Sequence, residues 1–246
     1  MTTQDFINTF DIFFNNLMSN RAPEVNVYEK SVLLTIAQEE IVKQIYENKF
    51  EGDEEKRRCL DVLLVHSEDE NLMTPSDVII GDGFRHYVAE LPRDLWYIVF
   101  EGGRYEDDAT CKGSALIPVV PTIHDYYHRD SRNPFRGPSA NRILRLERPR
   151  GNAVELVSKY PMAAYILRYV RRPKPILLAD FSMGEFKGLD IHIRGKQYTD
   201  AVQWIETEGQ YLPNSDTESP CELNDLLHYE IVQRAVEYAI ATYKGQ

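Results

Sequence analysis

Apolar residues near the amino terminus recur at intervals of three and four. Phe6, Phe10, Phe14 and Leu17 follow this spacing, which places them on one face of a helix. The pattern predicts a helix that ends near residues 19–20. Similar stripes predict helices over residues 27–49 and 224–244, the last closed by Gly245, and a shorter helix over 53–64 that frays into the acidic run after it.

The middle of the chain has a different pattern. Short runs rich in β-branched and aromatic residues, separated by Gly and Pro, predict strands. The run 142–148 alternates apolar and charged residues, so one of its faces is expected to be wet. Residues 123–130 are expected to form one or two helical turns before an Asn-Pro break. The predicted strands cover residues 85–91, 95–102, 115–120, 142–148, 153–158, 165–173 and 176–181.

This order of elements predicts the α+β class, because strands and helices occur in separate runs. We expect a helical body made of the N-terminal helices and the C-terminal helix, which packs on them. An antiparallel β-sheet or sandwich region is inserted between them. The polar segment 210–220 is expected to be the exposed connector back to the helices. The predicted division is residues 1–70, 71–220 and 221–246.

Charge is unevenly distributed along the chain, which has a net charge of −11. Residues 128–174 contain twelve Lys and Arg against three Asp and Glu, a net of +9, so the remaining residues have a net of −20. The acidic balance argues against a protein that wraps duplex DNA, because neutralising phosphates requires a positive face. Fifteen tyrosines against two tryptophans favour half-buried surfaces and subunit contacts.

The cysteines and the N-terminal residues predict the environment in which the protein folds. Cys59, Cys111 and Cys221 are far apart and odd in number, so we expect neither a zinc site nor a disulfide framework, and folding in a reducing cytosol. The first residues are acidic where a signal peptide would be basic. Apolar runs are too short for a membrane span, and we expect a soluble protein with no membrane partner.

A search for catalytic chemistry yields only weak candidates. The chain has no phosphate-binding loop, dinucleotide fingerprint or nucleophile elbow. His124 and His128 are four residues apart, and residues 106–108 are acidic, but polar structural contacts and a solvated loop explain them better than a metal does. His228 lies beside an apolar stripe and is expected to be structural. We therefore predict a protein that is not an enzyme and holds neither metal nor cofactor.

The stretch HRDSRNPFRGPS, residues 128–139, combines arginines with two prolines and one phenylalanine. The prolines stiffen the chain, so a loop carrying Phe135 and Arg136 could dock on a partner as one apolar anchor and one charged fork. The alternative is a turn with Phe135 in its own core. The expected subunit-interface residues are Arg129, Arg132, Asn133, Pro134, Phe135, Arg136, Pro138, Arg142, Arg145, Arg171 and Arg172.

Three interpretations of these arginines remain open. They could bind nucleic acid, with interleaved aromatic residues stacking on bases. They could contact the acidic face of an identical neighbour. Such a contact would suit a ring, because a ring of identical copies requires two different surfaces on each copy. They could also simply be solvated. The +9 and −20 split favours contact between subunits. A metal-dependent hydrolase built on His124, His128 and the 106–108 acids is a further alternative.

Four segments, in order from residue 10 to residue 243, carry a family resemblance. They are FDIFFNNLMSNRAPEVNVYEKSVLLTIAQEEIV (10–42), NPFRGPSANRILRLE (133–147), YILRYVRRPKPILLADF (165–181) and CELNDLLHYEIVQRAVEYAIATY (221–243). These segments resemble neck and tail proteins of crAss-like bacteriophages of gut Bacteroidales. The order of elements is also distantly similar to podovirus head-to-tail adaptors, or tail tubular proteins A.

The resemblance implies a structural ring protein of the virion neck or tail, assembled in the host cytoplasm. It implies a homo-oligomer of twelve copies that joins the portal protein or neighbouring tail rings. Genomic DNA would pass through the channel without specific binding. The helices would line that channel and the β region would face outward. Residues 1–70 hold fifteen Asp and Glu against seven Lys and Arg, which is the sign needed to repel phosphates.

Overall fold

The computed structural model divides the chain into two compact units. One unit combines Met1–Leu63 with Arg172–Gln246, and the other is Leu64–Arg171. The predicted division at residues 70 and 220 stays a prediction, because both boundaries adjoin residues outside the described ranges. The 210–219 connector, Asp107, Asp108 and Gly245 also lie outside them. The structure describes residues 1–18, 24–47, 54–70, 83–106, 116–148, 152–179, 191–193, 196–198 and 220–244.

Helices dominate the first unit, and polar residues define where they begin. Thr2 accepts a hydrogen bond from the Asp5 amide, and the Asp5 carboxylate accepts one from the Thr2 amide, a capping box. Asn26 and Asn224 accept from amides in the first turns of the next two long helices. The helices, numbered in chain order, are α1 Thr3–Leu17, α2 Val27–Glu47, α3 Glu54–Arg58, α4 His124–Ser131 (in the second unit) and α5 Asp225–Lys244.

The core of the first unit lies where α5 packs against both α1 and α2. Phe6 and Phe10 of α1 are fully buried, as are Leu34 of α2 and Ile231 of α5. Phe6, Phe10 and Ile231 lie on the predicted stripes, whereas the buried face of α2 is shifted from its predicted stripe, since Leu34 is buried and Ile36 is 46% exposed. Burying these apolar faces explains why the three helices associate. A small antiparallel pair, β8 Ile191–Ile193 with β9 Lys196–Tyr198, belongs to the same unit.

Residues 174–178 lie along α2, which corrects the predicted strand at 176–181. The amides of Ile176 and Leu178 donate to the hydroxyls of Thr35 and Ser31, at 3.0 and 3.1 Å. Gln38 donates its amide N–H to the Lys174 carbonyl at 3.0 Å. Alternate backbone groups of this extended segment are therefore satisfied by helix side chains, and Leu177 between them forms a single β-bridge, not a strand. Residues 180–181 lie outside the described part of the chain.

The second unit contains seven strands among its described residues: β1 Leu64–Asp69, β2 Arg85–Glu90, β3 Leu95–Tyr105, β4 Leu116–Pro121, β5 Ile143–Glu147, β6 Ala153–Ser158 and β7 Met162–Arg171. They form one sheet, in the order β1-β7-β3-β4-β5-β6-β2. Strands β4 and β5 are parallel and the other pairs are antiparallel, so the sheet is mixed where an antiparallel one was predicted. The parallel pair needs a crossover, and α4 lies within it. The α+β class is confirmed.

Two local predictions in this region were wrong. The predicted helix 53–64 is only the five-residue α3 followed by a 3-10 turn, and the acidic run after it is the edge strand β1. Pairing with β7 along all six residues of β1 outweighs the weak strand propensity of its Ser, Glu and Asp. The expected wet face of β5 is confined to the end of the strand: Glu147 is exposed, but Arg145 on the same side is only 11% exposed, and Leu144 and Leu146 are buried on the other side.

Helix α4 covers part of one sheet face. Tyr127 of α4 packs with Leu144 and Leu146 of β5 and Val157 of β6. The opposite face of the sheet holds the larger core, which includes Leu156, Tyr165 and Leu167. Across the described helices of both units, none is long and apolar enough to cross a membrane.

Candidate subunit interface

The loop between α4 and β5 is held by its own backbone. The Asn133 side chain accepts a hydrogen bond from the Phe135 amide at 2.8 Å. The Asn133 carbonyl accepts from the amides of Arg136 and Gly137, at 3.1 and 2.7 Å. This side-chain bond to the backbone two residues on is an Asx turn. It fixes the peptide on both sides of Phe135.

Three further features brace this loop, one of them within the loop and two toward its neighbours. The Arg142 guanidinium donates to the Phe135 carbonyl. Tyr105 of β3 donates its hydroxyl to the Ser139 carbonyl at 2.8 Å. A Cβ at Gly137 would lie 2.7 Å from the Ser131 carbonyl oxygen, so only glycine fits there. The loop is thus tied to α4, to β3 and to itself.

Phe135 projects from this braced loop with 84% of its surface exposed. Arg129 and Arg136, whose side chains are 61% and 63% exposed, both approach Asp130 Oδ1, at 3.2 and 3.7 Å. Asp130 therefore places two guanidinium groups close together beside the loop. The predicted alternative, with Phe135 in its own core, was wrong because its amide and carbonyl are hydrogen-bonded in a conformation that points the ring outward.

Exposed apolar residues of α4 extend this surface. Ile123, at the N-terminal boundary of α4, is 62% exposed and Tyr126 is 49% exposed. The Arg129 guanidinium carbon lies 4.6 Å from the centre of the Tyr126 ring, a cation–π contact. We call the exposed side chains of Ile123, Tyr126, Arg129, Phe135 and Arg136 the α4-loop surface.

The other predicted interface residues divide into two groups. Asn133, Pro134, Pro138, Arg132 and Arg142 belong to the loop, where Pro138 is buried while Pro134 and Arg132 are exposed. Arg145 and Arg171 lie on other parts of the sheet, and Arg172 follows β7 and belongs to the helical unit. Arg145 is on β5 inside the sheet, and Arg171 ends β7, three places from β5 in the sheet order.

Arg145 belongs to a buried polar cluster that sequence inspection missed. It donates to Glu101 of β3 at 2.9 Å, and Tyr165 of β7 donates to the same carboxylate oxygen at 2.5 Å. Burial, with the negative charge of Glu101, raises the pKa of Tyr165 above its usual range. Glu101 and Arg145 are 44 residues apart in the chain, so no local sequence pattern could pair them.

A second buried polar pair lies under α4. His86 Nδ1 of β2 is 2.7 Å from Glu155 Oε1 of β6, and both side chains are less than a tenth exposed. The Tyr127 hydroxyl lies 3.4 Å from His86 Nε2. The alternation of apolar residues along β2 did not single out His86 as buried. These contacts tie α4 to the sheet.

The predicted metal alternative gains no support from the described residues. They contain no group of three or more His, Cys, Asp or Glu side chains that could hold a metal ion. The structure does not describe the side chains of His124 and His128 on α4, and residues 107–108 lie outside the described ranges. The histidine of α5, His228, is buried, and its Nε2 donates to the Leu223 carbonyl at 2.9 Å.

Comparison with known proteins identifies the kind of molecule that carries this surface. The chain is 34% identical to "Ring protein 4/5" of Bacteroides phage crAss001, covering 100% of this chain and 94% of that protein. It is 32% identical to "Ring protein 3" of the same phage, covering 98% and 95%. Residues 1–200 match the family described as phage tail ring protein 3/4. The chain therefore belongs to the phage tail ring protein 3/4 family of crAss-like phages.

Proposed function

We propose that this ring subunit assembles into a closed ring in the virion neck or tail, forms a channel for the genome and joins the portal to the tail. We propose twelve copies per ring, as the likeness to head-to-tail adaptors implies. Neighbouring rings of related chains would stack on it, since one phage carries two similar proteins named for different rings. The ring would be part of the virion and would assemble in the host cytoplasm.

One observation supports this proposal most directly: Phe135 is 84% exposed on a loop whose backbone is fixed. Burying a phenylalanine side chain contributes roughly 1.5–3 kcal/mol, which a solvated monomer forgoes. Holding the ring outward in one conformation lowers the entropy cost of association. A pre-formed apolar anchor flanked by arginines is the arrangement expected at the centre of a protein contact.

The helical unit supplies a surface suited to a DNA channel. Helix α1 contains Asp5 and Asp11 and no Lys or Arg. Its exposed positions include Asn8, Asn15 and Asn16. Asp11 is paired with Lys30 at 2.7 Å, so this surface would be nearly neutral and would offer phosphates no free cation. DNA could therefore slide through a channel lined by such residues. We propose that α1 contributes to the channel wall.

The rival function, nucleic-acid binding by the α4-loop surface, is less consistent with its geometry. Single strands are held by several aromatic side chains that stack on successive bases, but Arg129 lies over the Tyr126 ring, which leaves Phe135 as the most open ring of this surface. Asp130 also approaches Arg129 and Arg136 and offsets part of the charge that would hold phosphates. A single apolar anchor with partly neutralised arginines suits contact with another protein better.

Imaging of the purified protein tests the proposal. We expect negative-stain micrographs to show annular particles with a central hole, and native mass spectrometry to give a mass of about twelve chains. Phe135→Ala should shift the population strongly toward monomer, because it removes the apolar anchor. Val99→Ala is the matched control, since Val99 is 48% exposed in the same unit. A wild-type protein that stays monomeric alone and with its virion neighbours would contradict the proposal.

A further inference from the structure

We propose that the α4-loop surface of one copy docks on the first turns of α5 in the next copy around the ring. This inference rests on the proposed ring and names the second half of its repeating contact. A closed ring of identical subunits requires two different, complementary surfaces on every copy. The α4-loop surface supplies one of them, and its complement should combine exposed apolar side chains with negative charge.

The exposed apolar side chains point to the start of α5 as the complementary surface. Most of the strongly exposed apolar side chains belong to just two places on the chain. Ile123 and Phe135 belong to the α4-loop surface, and Leu226 and Tyr229 belong to the start of α5. Among the described residues, the large hydrophobic side chains at least 60% exposed are Leu17, Ile123, Phe135, Leu226 and Tyr229.

Leu226 and Tyr229 form one continuous apolar site on α5. They are three residues apart, so they are neighbours on the helix surface. Leu227 and Ile231 on the other side of the helix are buried to 1% and 0% exposure, which fixes the orientation of α5. An aromatic ring such as that of Phe135 could pack between Leu226 and Tyr229, burying three apolar side chains in one contact.

Charge around this site is complementary to the arginines. Asp225 is 84% exposed and Glu230 is 40% exposed, one on each side of the apolar pair. Each has an internal partner: the terminal ammonium of Met1 approaches Asp225, and Lys56 approaches Glu230. Their exposed edges still face solvent, where Arg129 and Arg136 of a neighbour can reach them. Such rim charges set orientation and association rate more than affinity.

Cross-linking between two differently tagged chains tests the contact. One chain carries Arg132→Cys and the other Gln233→Cys, exposed positions beside the two proposed surfaces, and each has the three native cysteines replaced by alanine. Both chains keep Phe135, Leu226 and Tyr229, so the proposed contact itself is intact. Because the new cysteines are on separate chains, a mixed disulfide dimer reports a contact between copies only. We expect this dimer to form under mild oxidation at least about tenfold faster than with Val99→Cys in place of Arg132→Cys, because proximity raises effective concentration. Equal rates for the two pairs would overturn the inference.

A charge exchange provides a second, independent measurement. Arg136→Glu should weaken ring assembly, and Glu230→Arg on the same chain should restore it, because the pair regains opposite charges with the direction reversed. Glu90→Arg, an exposed position on β2, is the control and should not restore assembly. Wild-type rings without the cross-link or the rescue would reject this contact while leaving the ring function in place. Absence of rings from every preparation would reject both.

Discussion

Asn133 and Gly137 determine how Phe135 is presented, at the scale of single residues. The sequence suggested that Pro134 and Pro138 stiffen this loop. In the structure Asn133 accepts hydrogen bonds through both its side chain and its carbonyl. Gly137 fits where a side chain has no room. The rigidity of the loop therefore depends on specific hydrogen bonds and one close backbone approach as well as on proline.

Replacing Gly137 by alanine should destabilise the protein. The added Cβ would meet the carbonyl oxygens of Ser131, Asn133 and Asp130 at 2.7, 3.0 and 3.1 Å, and these are backbone atoms that cannot rotate away. We expect a loss of about 1–3 kcal/mol in the free energy of unfolding, typical of overpacking, measured by urea denaturation. Ala140→Ser, at an exposed position of the same loop, should change it little. Equal stability of the Gly137→Ala protein would show that the loop is free to shift.

His228 should make stability depend on pH. Burial is the main cause that lowers its pKa below the ordinary value, 6.5. The unfolded chain therefore binds the proton more tightly than the folded protein does. The contribution of neutral His228 to the free energy of unfolding is complete above the unfolded pKa and is lost as pH falls toward the folded pKa. We expect wild type to lose more stability than His228→Asn between about pH 7.5 and pH 5.5, measured by urea denaturation. Identical losses would exclude His228 as the titrating group.

The pairing of α2 with residues 174–178 shows what decides structure at the scale of elements. Ser31, Thr35 and Gln38 are fully buried or nearly so, which is unusual for polar residues on a core-facing helix. Their spacing of four and three keeps them on one face. The partner segment uses every second residue, as extended chain does. A helix and an extended segment thus match through polar groups, which hydrophobic patterning alone does not reveal.

Thr35→Val should weaken this pairing. Valine keeps the shape of threonine but cannot accept the hydrogen bond from the buried Ile176 amide. An unsatisfied buried amide costs roughly 1–3 kcal/mol, and thermal unfolding should register the loss as a lower Tm. Thr242→Val is the matched control because Thr242 is exposed and its hydroxyl bonds only within α5. If the two variants had the same Tm, the contact with Ile176 would not be stabilising.

Charge takes on a different meaning at the scale of the whole molecule. The sequence separates into a +9 segment and a −20 remainder, yet the fold recombines part of this charge. Arg145 of the basic segment pairs with Glu101 of the acidic remainder, 44 residues away in the chain. Arg129, Arg132 and Arg136 remain exposed at the loop. The basic segment is thus partly an internal ion pair and partly, as proposed, a docking surface.

Lysines placed on α1 test the proposed channel wall. Wild-type rings should not retain duplex DNA even at low salt. Asn8→Lys with Asn15→Lys, both exposed on α1, should create salt-sensitive retention, because each phosphate contact releases counterions. Val99→Lys with Leu116→Lys adds the same charge to exposed positions of the sheet and should leave retention unchanged. A gel-shift series over salt concentration measures both. Stronger retention by the sheet variant would place DNA against the other unit.

The sequence by itself determined the elements whose signal is local. Helical spacing located α1, α2 and α5, and β-branched runs bounded by Gly and Pro located most strands, because period and propensity act within a few residues. The family also followed from ordered sequence segments. Phe135 could be singled out in its Asn-Pro context, although its exposure could not.

Only the tertiary structure decided which residues pair across the chain. Edge strand β1 exists because β7 supplies its hydrogen bonds. Arg145 is internal because Glu101 lies beside it, and residues 174–178 follow α2 because Thr35 and Ser31 bind their amides. Each outcome depends on a partner that is distant in sequence. The energy of a hydrogen bond or ion pair belongs to two residues at once, so inspection of either local segment cannot assign it.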